Sequence, residues 1–376
     1  MAMGEAAPQG AKGLIRGSVL LKELRVKMAE RMYRIGIVGA SSLVGKELSD
    51  ELNDSALAGS EFVLLDDEEA AGQVASAGDE ATVIQQIDDT SLRRQDFVFF
   101  SGSPETTRRY WQQARRAGAS IVDLTYALEH EKDVLVRAPW VTEADGTRAH
   151  SGRDPDLKTS AVVAAHPAAV MLGLVTARLR AKFPLESFAA TVMEPASEHG
   201  RAAMDELHQQ TVNLLSFQSL PREQYDAQAA FNLLPALGES STIKLDVTER
   251  RIREQYAVLS GNQPQLALQI VQAPVFHGYV ISALVELGGA ASVGQVETAL
   301  AGEHVDIVTS ESEPPSNLSA AGQEEIMIRV KSGTGAEGST KRFWLWLAAD
   351  NLKLSAMNAI ACAGELGKLR PQGKVQ

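Results

Sequence analysis

The stretch Arg34-Ile35-Gly36-Ile37-Val38-Gly39-Ala40-Ser41-Ser42-Leu43-Val44-Gly45 decides the fold. A short apolar run ends at Gly39, and from residue 43 onward Leu43, Val44, Leu48 and Leu52 recur at helical spacing. This is a strand, a tight turn and a helix. Working outward, residues 61–65 form a second strand closed by Asp66, Asp67, Glu68 and Glu69, and residues 96–101 form a buried strand. Pro104 opens a helix that Gly118 ends, and Ser120-Ile121-Val122-Asp123 supplies the next strand. Strands alternating with helices in this way call for a parallel sheet covered on both faces, an α/β doubly wound domain.

Beyond residue 161 the texture changes. Helices are expected over 170–183, 200–217, 247–259 and 352–369, and strands over 188–193, 266–273, 279–287, 325–330 and 343–347. Strands with helices segregated between them point to an α+β layer with a mixed or antiparallel sheet covered on one face. Serine- and glycine-rich loops are expected over 310–322 and 332–339. At 376 residues the chain exceeds the ~250–300 residues one core usually organises, so two domains are expected. They are residues 33–165, completed by a returning C-terminal helix over 350–370, and residues 166–349. Residues 1–32 contain Met3, Met28 and Met32 and suggest an extension or a short helix outside both.

Lys+Arg 36 against Asp+Glu 48 gives a net charge of −12, which repels a phosphate backbone and disfavours nucleic acid as a ligand. No apolar run reaches the ~20 residues of a membrane span. The single cysteine, Cys362, excludes a disulfide framework and suits a reducing, cytoplasmic setting. It lies among Ala359, Ile360, Ala361 and Ala363, as a packed core thiol would. The histidines lack metal-ligand spacing, so no metal is expected and their default place is the surface.

The turn Gly39, Ser41, Ser42, Leu43, Val44, Gly45 sits where a dinucleotide fold needs its phosphate loop, after a first strand and opening a helix. Ser42 stands where a glycine is usual, which weakens binding through added bulk while offering a hydroxyl. Asp66 and Asp67 fall where an acidic residue meets the ribose 2′-hydroxyl, and the carboxylates there repel a 2′-phosphate, favouring NAD over NADP. A doubly wound domain that binds no nucleotide is the competing possibility. Glu194 ends a strand and could serve as an acid or base if buried.

Taken in order, Gly39 to Gly45, Ala230-Phe231-Asn232-Leu233-Leu234-Pro235, Ala273-Pro274-Val275-Phe276-His277-Gly278 and Ala349-Asp350-Asn351-Leu352 resemble the aspartate-semialdehyde dehydrogenase family, in particular its divergent Usg-like branch. The resemblance implies a Rossmann-like nucleotide-binding domain, with Asn351 among the cofactor contacts, a homodimer built on the second domain, and a link to amino-acid biosynthesis. It also implies thiol chemistry on an acyl phosphate with NADP. Here Ala169 stands at the cysteine position, Glu194 at the glutamine, Gln272 at the substrate-binding arginine and Tyr279 at the acid/base histidine. Glu129 replaces a phosphate-binding arginine, Ser241 a substrate-binding glutamate, and Lys244 matches a phosphate-binding lysine. Losing a nucleophile alone costs on the order of 10⁶ in turnover, and Glu129 at an arginine site repels an acyl phosphate.

Two functions follow as expectations. One is a homodimer of the family without thiol-dependent activity, a pseudoenzyme with a binding or regulatory role, open to heteromer formation with an active paralogue. The other is an NAD(P)-dependent oxidoreductase acting on an aldehyde or oxo group without a cysteine, with Tyr279, Glu194 or His277 as proton donor.

Overall fold

The computed structural model describes residues 32–77, 80–146, 154–334 and 338–370. The expected N-terminal extension lies outside the described residues. The parallel sheet is built on β1 (Arg34–Val38), β2 (Glu61–Asp66), a hairpin of β3 (Val74–Ala77) and β4 (Glu80–Val83), β5 (Gln85–Gln86), β6 (Phe97–Phe100), β7 (Ser120–Asp123), β8 (Leu135–Arg137) and β9 (Ala161–Ala164). Apart from the hairpin these pair in the order β5-β2-β1-β6-β7-β9-β8, every pair parallel. The helices α1 (Leu43–Asn53), α2 (Pro104–Arg116) and α3 (Pro139–Asp145) follow β1, β6 and β8.

Strand periodicity explains why the sheet is buried on both faces. Phe97 and Phe99 of β6 point into one core, with Ile35, Ile37 and Leu48, while Val98 and Phe100 point into the other, with Ile121 and Trp111. Successive residues therefore serve opposite layers. The chain runs from β1 to β2 on one side and resumes with β6 on the other, so the sheet has its topological switch point between β1 and β6.

The second half begins with α4 (Pro167–Arg180) and β10 (Leu185–Glu194), followed by a 3₁₀ turn (Ala196–His199), α5 (Gly200–Leu215) and α6 (Leu245–Ser260). β11 (Leu266–Gln272), β12 (Tyr279–Ala291), α7 (Val293–Leu300), β13 (Val305–Ile307), β14 (Ile326–Ser332), β15 (Thr340–Ala349) and α8 (Asn351–Leu369) complete the chain. A mixed sheet in the order β11-β10-β12-β15-β14-β13 results. Phe188, Ala190 and Val192 of β10 and Ile281, Ala283 and Val285 of β12 join a core with residues of α4, α6 and α7. The opposite face carries Trp344, 45% exposed. α8 returns to the first half, where Ala356, Ala359, Cys362, Ala363 and Leu366 pack with β1 and α1.

The structure starts α4 three residues before the expected 170. Pro167 at its first position is preorganised for a helix, and the His166 side chain accepts from the Ala168 N–H as its cap. Also unforeseen are β8, β9, α3, α7 and β13, most of them too short for periodicity to register. α3 packs on α4, tying the first half's chain to the second half's core.

Gly39 has φ +85°, and a Cβ there would lie 2.2 Å from the Gly102 backbone. Gly39→Ala should therefore lower the unfolding free energy by at least ~1–3 kcal/mol, the range for a strained left-handed residue, with the backbone clash added. Chemical denaturation measures it; an unchanged midpoint would refute the close approach.

Candidate functional site: a phosphate turn beside a buried ionisable cluster

Gly39 and Gly102, at the ends of β1 and β6, meet at the switch point, and a Cβ on Gly45 would strike the Gly39 carbonyl oxygen at 2.2 Å. The glycines thus keep Cβ atoms out of this close approach, and in the first turn of α1 the Gly45 and Lys46 N–H groups are taken by the Ser42 hydroxyl and carbonyl. Ser42, the sequence's suspected obstruction, is the N-cap of α1: its Oγ accepts the Gly45 N–H at 2.9 Å and donates to the Ser101 carbonyl at 2.8 Å. Its side chain is thereby engaged on the protein side. Asp66, 9% exposed, accepts the Ser41 N–H at 2.8 Å and the Asp67 N–H at 3.0 Å. One donor of the turn is already served by a carboxylate of the chain.

Asn351, the first residue of α8, uses Oδ1 to accept the Ser197 hydroxyl at 3.1 Å and the Gly278 N–H at 3.0 Å. Its Nδ2 is buried with no hydrogen-bond partner. An orphaned donor and a backbone-lined glycine cradle both fit a polar, phosphate-bearing dinucleotide.

Next to Asn351's partners lies a cluster drawn from the ends of several strands. Period 2 places Glu194 on the same inward face as Phe188, Ala190 and Val192, and Tyr279 on the inward face of β12. The Met193–Val280 pair sets them side by side one step further on. The Tyr279 hydroxyl donates to Glu194 Oε1 at 3.4 Å and lies 3.3 Å from His166 Nε2. His166 Nδ1 accepts the Ala168 N–H at 3.2 Å, so the ring proton is on Nε2, which faces Glu198 Oε1 at 3.1 Å. His199 Nε2 meets Glu194 Oε2 at 3.0 Å. Each buried carboxylate has its own imidazole.

The electrostatics follow from this pairing. Burial pushes the Glu198 carboxyl up, but the His166 imidazole against it, with His199 and the nearby Tyr279 hydroxyl, outweighs burial and brings it to about 2. Burial pulls the His199 imidazole down, yet Glu194, by charge and hydrogen bond, and Glu198 carry it above 6.5. Burial, then Glu198 and Glu194, hold the Tyr279 hydroxyl well above its ordinary range. A phenol so placed is a hydrogen-bond donor and a poor acid, which counts against Tyr279 as a proton donor.

Three sequence expectations need correcting. His166, fully buried, and His199, 17% exposed at its side chain, are not surface residues; paired carboxylates allow imidazoles inside. Glu129 is not a bare repulsive charge, because Arg251 of α6 grips it bidentately at 2.9 and 3.1 Å and Gln255 adds a third bond at 3.4 Å. Arg251 also lies 4.6 Å over the Tyr126 ring. Sequence inspection missed Arg251 and Glu198, whose contacts are long-range. The loop carrying Tyr126 and Glu129 is shaped by buried Asp123, which accepts the Thr125 and Leu128 N–H groups.

The remaining candidates scatter. Gln272 is fully buried; Nε2 donates to the Glu194 and Ala273 carbonyls, and its backbone pairs with Leu234. Ser241 donates to the Gln224 carbonyl at 2.6 Å, and Lys244 is exposed, its Nζ 3.3 Å from the Glu239 carbonyl. Lys244 lines an open cavity of about 640 Å³ with Asp246, Glu249, Arg250 and Arg253. Ala169 is buried in the first turn of α4. Cys362 is buried in the nucleotide-side core, Sγ 3.7 Å from the Arg137 carbonyl, its thiol driven far up by burial. Among the described residues no group of three or more His, Cys, Asp or Glu could hold a metal ion.

A switch-point glycine turn with a mixed sheet behind it is the arrangement of a nucleotide-binding fold joined to a second, mixed-sheet half. Residues 34–148 match the semialdehyde dehydrogenase NAD binding domain, and residues 177–354 match the semialdehyde dehydrogenase dimerisation domain. The chain belongs to the semialdehyde dehydrogenase family. It is 29% identical over 338 residues to the USG-1 protein homolog of Pseudomonas aeruginosa, covering 88% of this chain and 96% of that one. To the aspartate-semialdehyde dehydrogenase of Rickettsia bellii it is 23% identical over 347 residues, covering 90% and 98%. The solved structure of a probable aspartate-semialdehyde dehydrogenase from Pseudomonas aeruginosa aligns with a TM-score of 0.77 at 25% identity, over 90% of this chain and 99% of that one.

Two measurements check the site. Cys362 should resist a thiol reagent in the native protein and react as one equivalent after denaturation; rapid native labelling would contradict its burial. His199's raised value means that its pairing with Glu194 stabilises the fold fully below pH ~6.5 and that this contribution fades as pH rises through the raised value. Glu194→Gln should move the His199 titration, followed by NMR, downward and flatten stability over that window.

Proposed function

We propose that this protein is a nucleotide-binding homodimer of the semialdehyde dehydrogenase family that does not run the thiol-dependent, phosphorylating reaction and acts through binding or regulation. One observation carries the reading: the chain's single cysteine, Cys362, is sealed in the core around α8, while the entry of α4 holds Ala169 behind His166. A methyl group forms no bond to a carbonyl carbon, and a buried thiol with a raised pKa supplies no thiolate. An acyl phosphate meets neutralised surroundings at these positions, since Arg251 is already paired with Glu129 and Gln272 carries no charge.

A dinucleotide would be held by the turn from Gly39 to Gly45 and by Asn351, and when bound it supplies hydride chemistry. Asp66 at the end of β2 disfavours a 2′-phosphate, so NAD is preferred over NADP. Dimerisation through the second half is supported by its match to the family's dimerisation domain and by the half-exposed outer face of the mixed sheet, where Trp344 lies. The oxidoreductase alternative keeps one supporting observation, the orphaned Nδ2 of Asn351 beside an ionisable cluster.

Incubation with an aspartyl phosphate mimic followed by intact mass spectrometry should give no acyl adduct, and aspartate semialdehyde with phosphate and either nucleotide should give no turnover. A covalent adduct anywhere would overturn the reading. Titration with NADH and NADPH should show the former binding at least several-fold tighter; the reverse order would remove the role assigned to Asp66.

A further inference from the structure

In a doubly wound sheet a helix normally covers the crossover from one half of the strand order to the other. Here none does. The chain leaves β5 at Gln86, passes over β2 and β1 and enters β6 at Phe97, and residues 87–96 form turns and no helix. Of that crossing, Ile87 and Leu92 alone join the core beneath. The rest leaves a cavity of about 490 Å³, within the ~300–1,000 Å³ of small-molecule sites, walled by Arg34 and Val63 of the sheet, by Gln86, and by Arg93, Arg94 and Gln95. None of Gly39, Ser41, Ser42 or Gly45 lines it, so it is separate from the glycine turn.

The charge of this cavity runs against that of the chain, which carries −12 overall. Arg93 and Arg94 are exposed, and among the described residues neither guanidinium has a hydrogen bond or an ion pair. Arg34 is paired with Glu61 at 3.2 Å. The one carboxylate of the lining, Asp88, spends Oδ1 on the Thr90 and Ser91 N–H groups, at 2.8 and 2.6 Å, and on the Thr90 hydroxyl. The larger cavity beside Lys244 is balanced instead, because Arg250 pairs with Asp246 at 3.8 Å and Arg253 with Glu249.

Two exposed arginines would be ordinary solvated surface without Gln95, which is only 4% exposed. Its side chain lies on β1, with carbons 3.5 and 3.6 Å from where a Cβ on Gly36 would stand. Nε2 donates to the Ser91 carbonyl at 3.0 Å, which fixes the orientation of the amide and leaves Oε1 buried with no partner. An acceptor left in that state calls for a donor.

We propose that this cavity binds a small phosphate monoester carrying a free hydroxyl, with the phosphate on Arg93 and Arg94 and the hydroxyl donating to Gln95 Oε1. Tetrahedral geometry decides the class. One guanidinium fork uses up both oxygens of a carboxylate, whereas the three free oxygens of a phosphate monoester, with a charge of about −1.5 to −2 at pH 7, serve two forks from neighbouring residues.

Calorimetric titration of the full chain tests this with glycerol 3-phosphate and with methyl phosphate, a monoester that has no hydroxyl. Glycerol 3-phosphate should bind saturably and several-fold tighter than methyl phosphate. Arg93→Gln combined with Arg94→Gln should weaken both by at least tenfold, and each single change by a few-fold, with the melting temperature nearly unmoved because both side chains are exposed and unpaired. Gln95→Met, or Gln95→Leu should the first not fold, should abolish the preference for glycerol 3-phosphate while methyl phosphate binds as before. Absence of saturable binding overturns the proposal, and so does an affinity unchanged in the double arginine variant, which would put the ligand elsewhere. Tighter binding of citrate than of glycerol 3-phosphate overturns the ligand class, and a preference that survives the change at Gln95 overturns the role of its amide.

Discussion

Two carboxylates taken out of water constrain everything around them. An unpaired buried charge costs several kcal/mol, so Glu194 and Glu198 tolerate burial only if His199 and His166 are delivered to hydrogen-bonding distance. That requirement fixes the junction of β9 and α4, the end of β10, the 3₁₀ turn and the start of β12 relative to one another. Tyr279 joins the pairs, since its hydroxyl bonds Glu194 and sits beside His166. The arrangement serves polar satisfaction first, and whatever chemistry the site performs must work within it.

The nucleotide side obeys a different constraint, steric in origin. Gly39, Gly102 and Gly45 remove side chains where backbone packs on backbone at the switch point. Ser42 fits there because its hydroxyl caps α1 on the protein side. Asp66 links the turn to the end of β2, so the acidic character of that strand end and the shape of the glycine turn are coupled in one hydrogen bond. Asn351 couples the nucleotide side to the cluster through Ser197 and Gly278.

Much of the scaffold was legible in the sequence because it rests on periodicity. The run from Arg34 to Gly45, the alternation in Phe97-Val98-Phe99-Phe100 and the apolar stripe of α8 each encode a local structure and its buried face. Glu194 was partly legible too: counting by two from Phe188 puts it inward, although its partner is not thereby given. His166 and Arg251 were not legible. His166 looks like a surface histidine until its cap on α4 and the carboxylate beyond it are known, and Arg251 meets Glu129 across 122 positions of chain, a contact no local pattern records. Short elements such as β8, β13 and α3 carry too few residues for a period to emerge.

The Arg251–Glu129 clasp joins a loop of the nucleotide half to α6 of the other half, and the Tyr126 ring lies against the same guanidinium. Prising the halves apart at this seam would break two charge-assisted bonds and strip a cation from its aromatic cover.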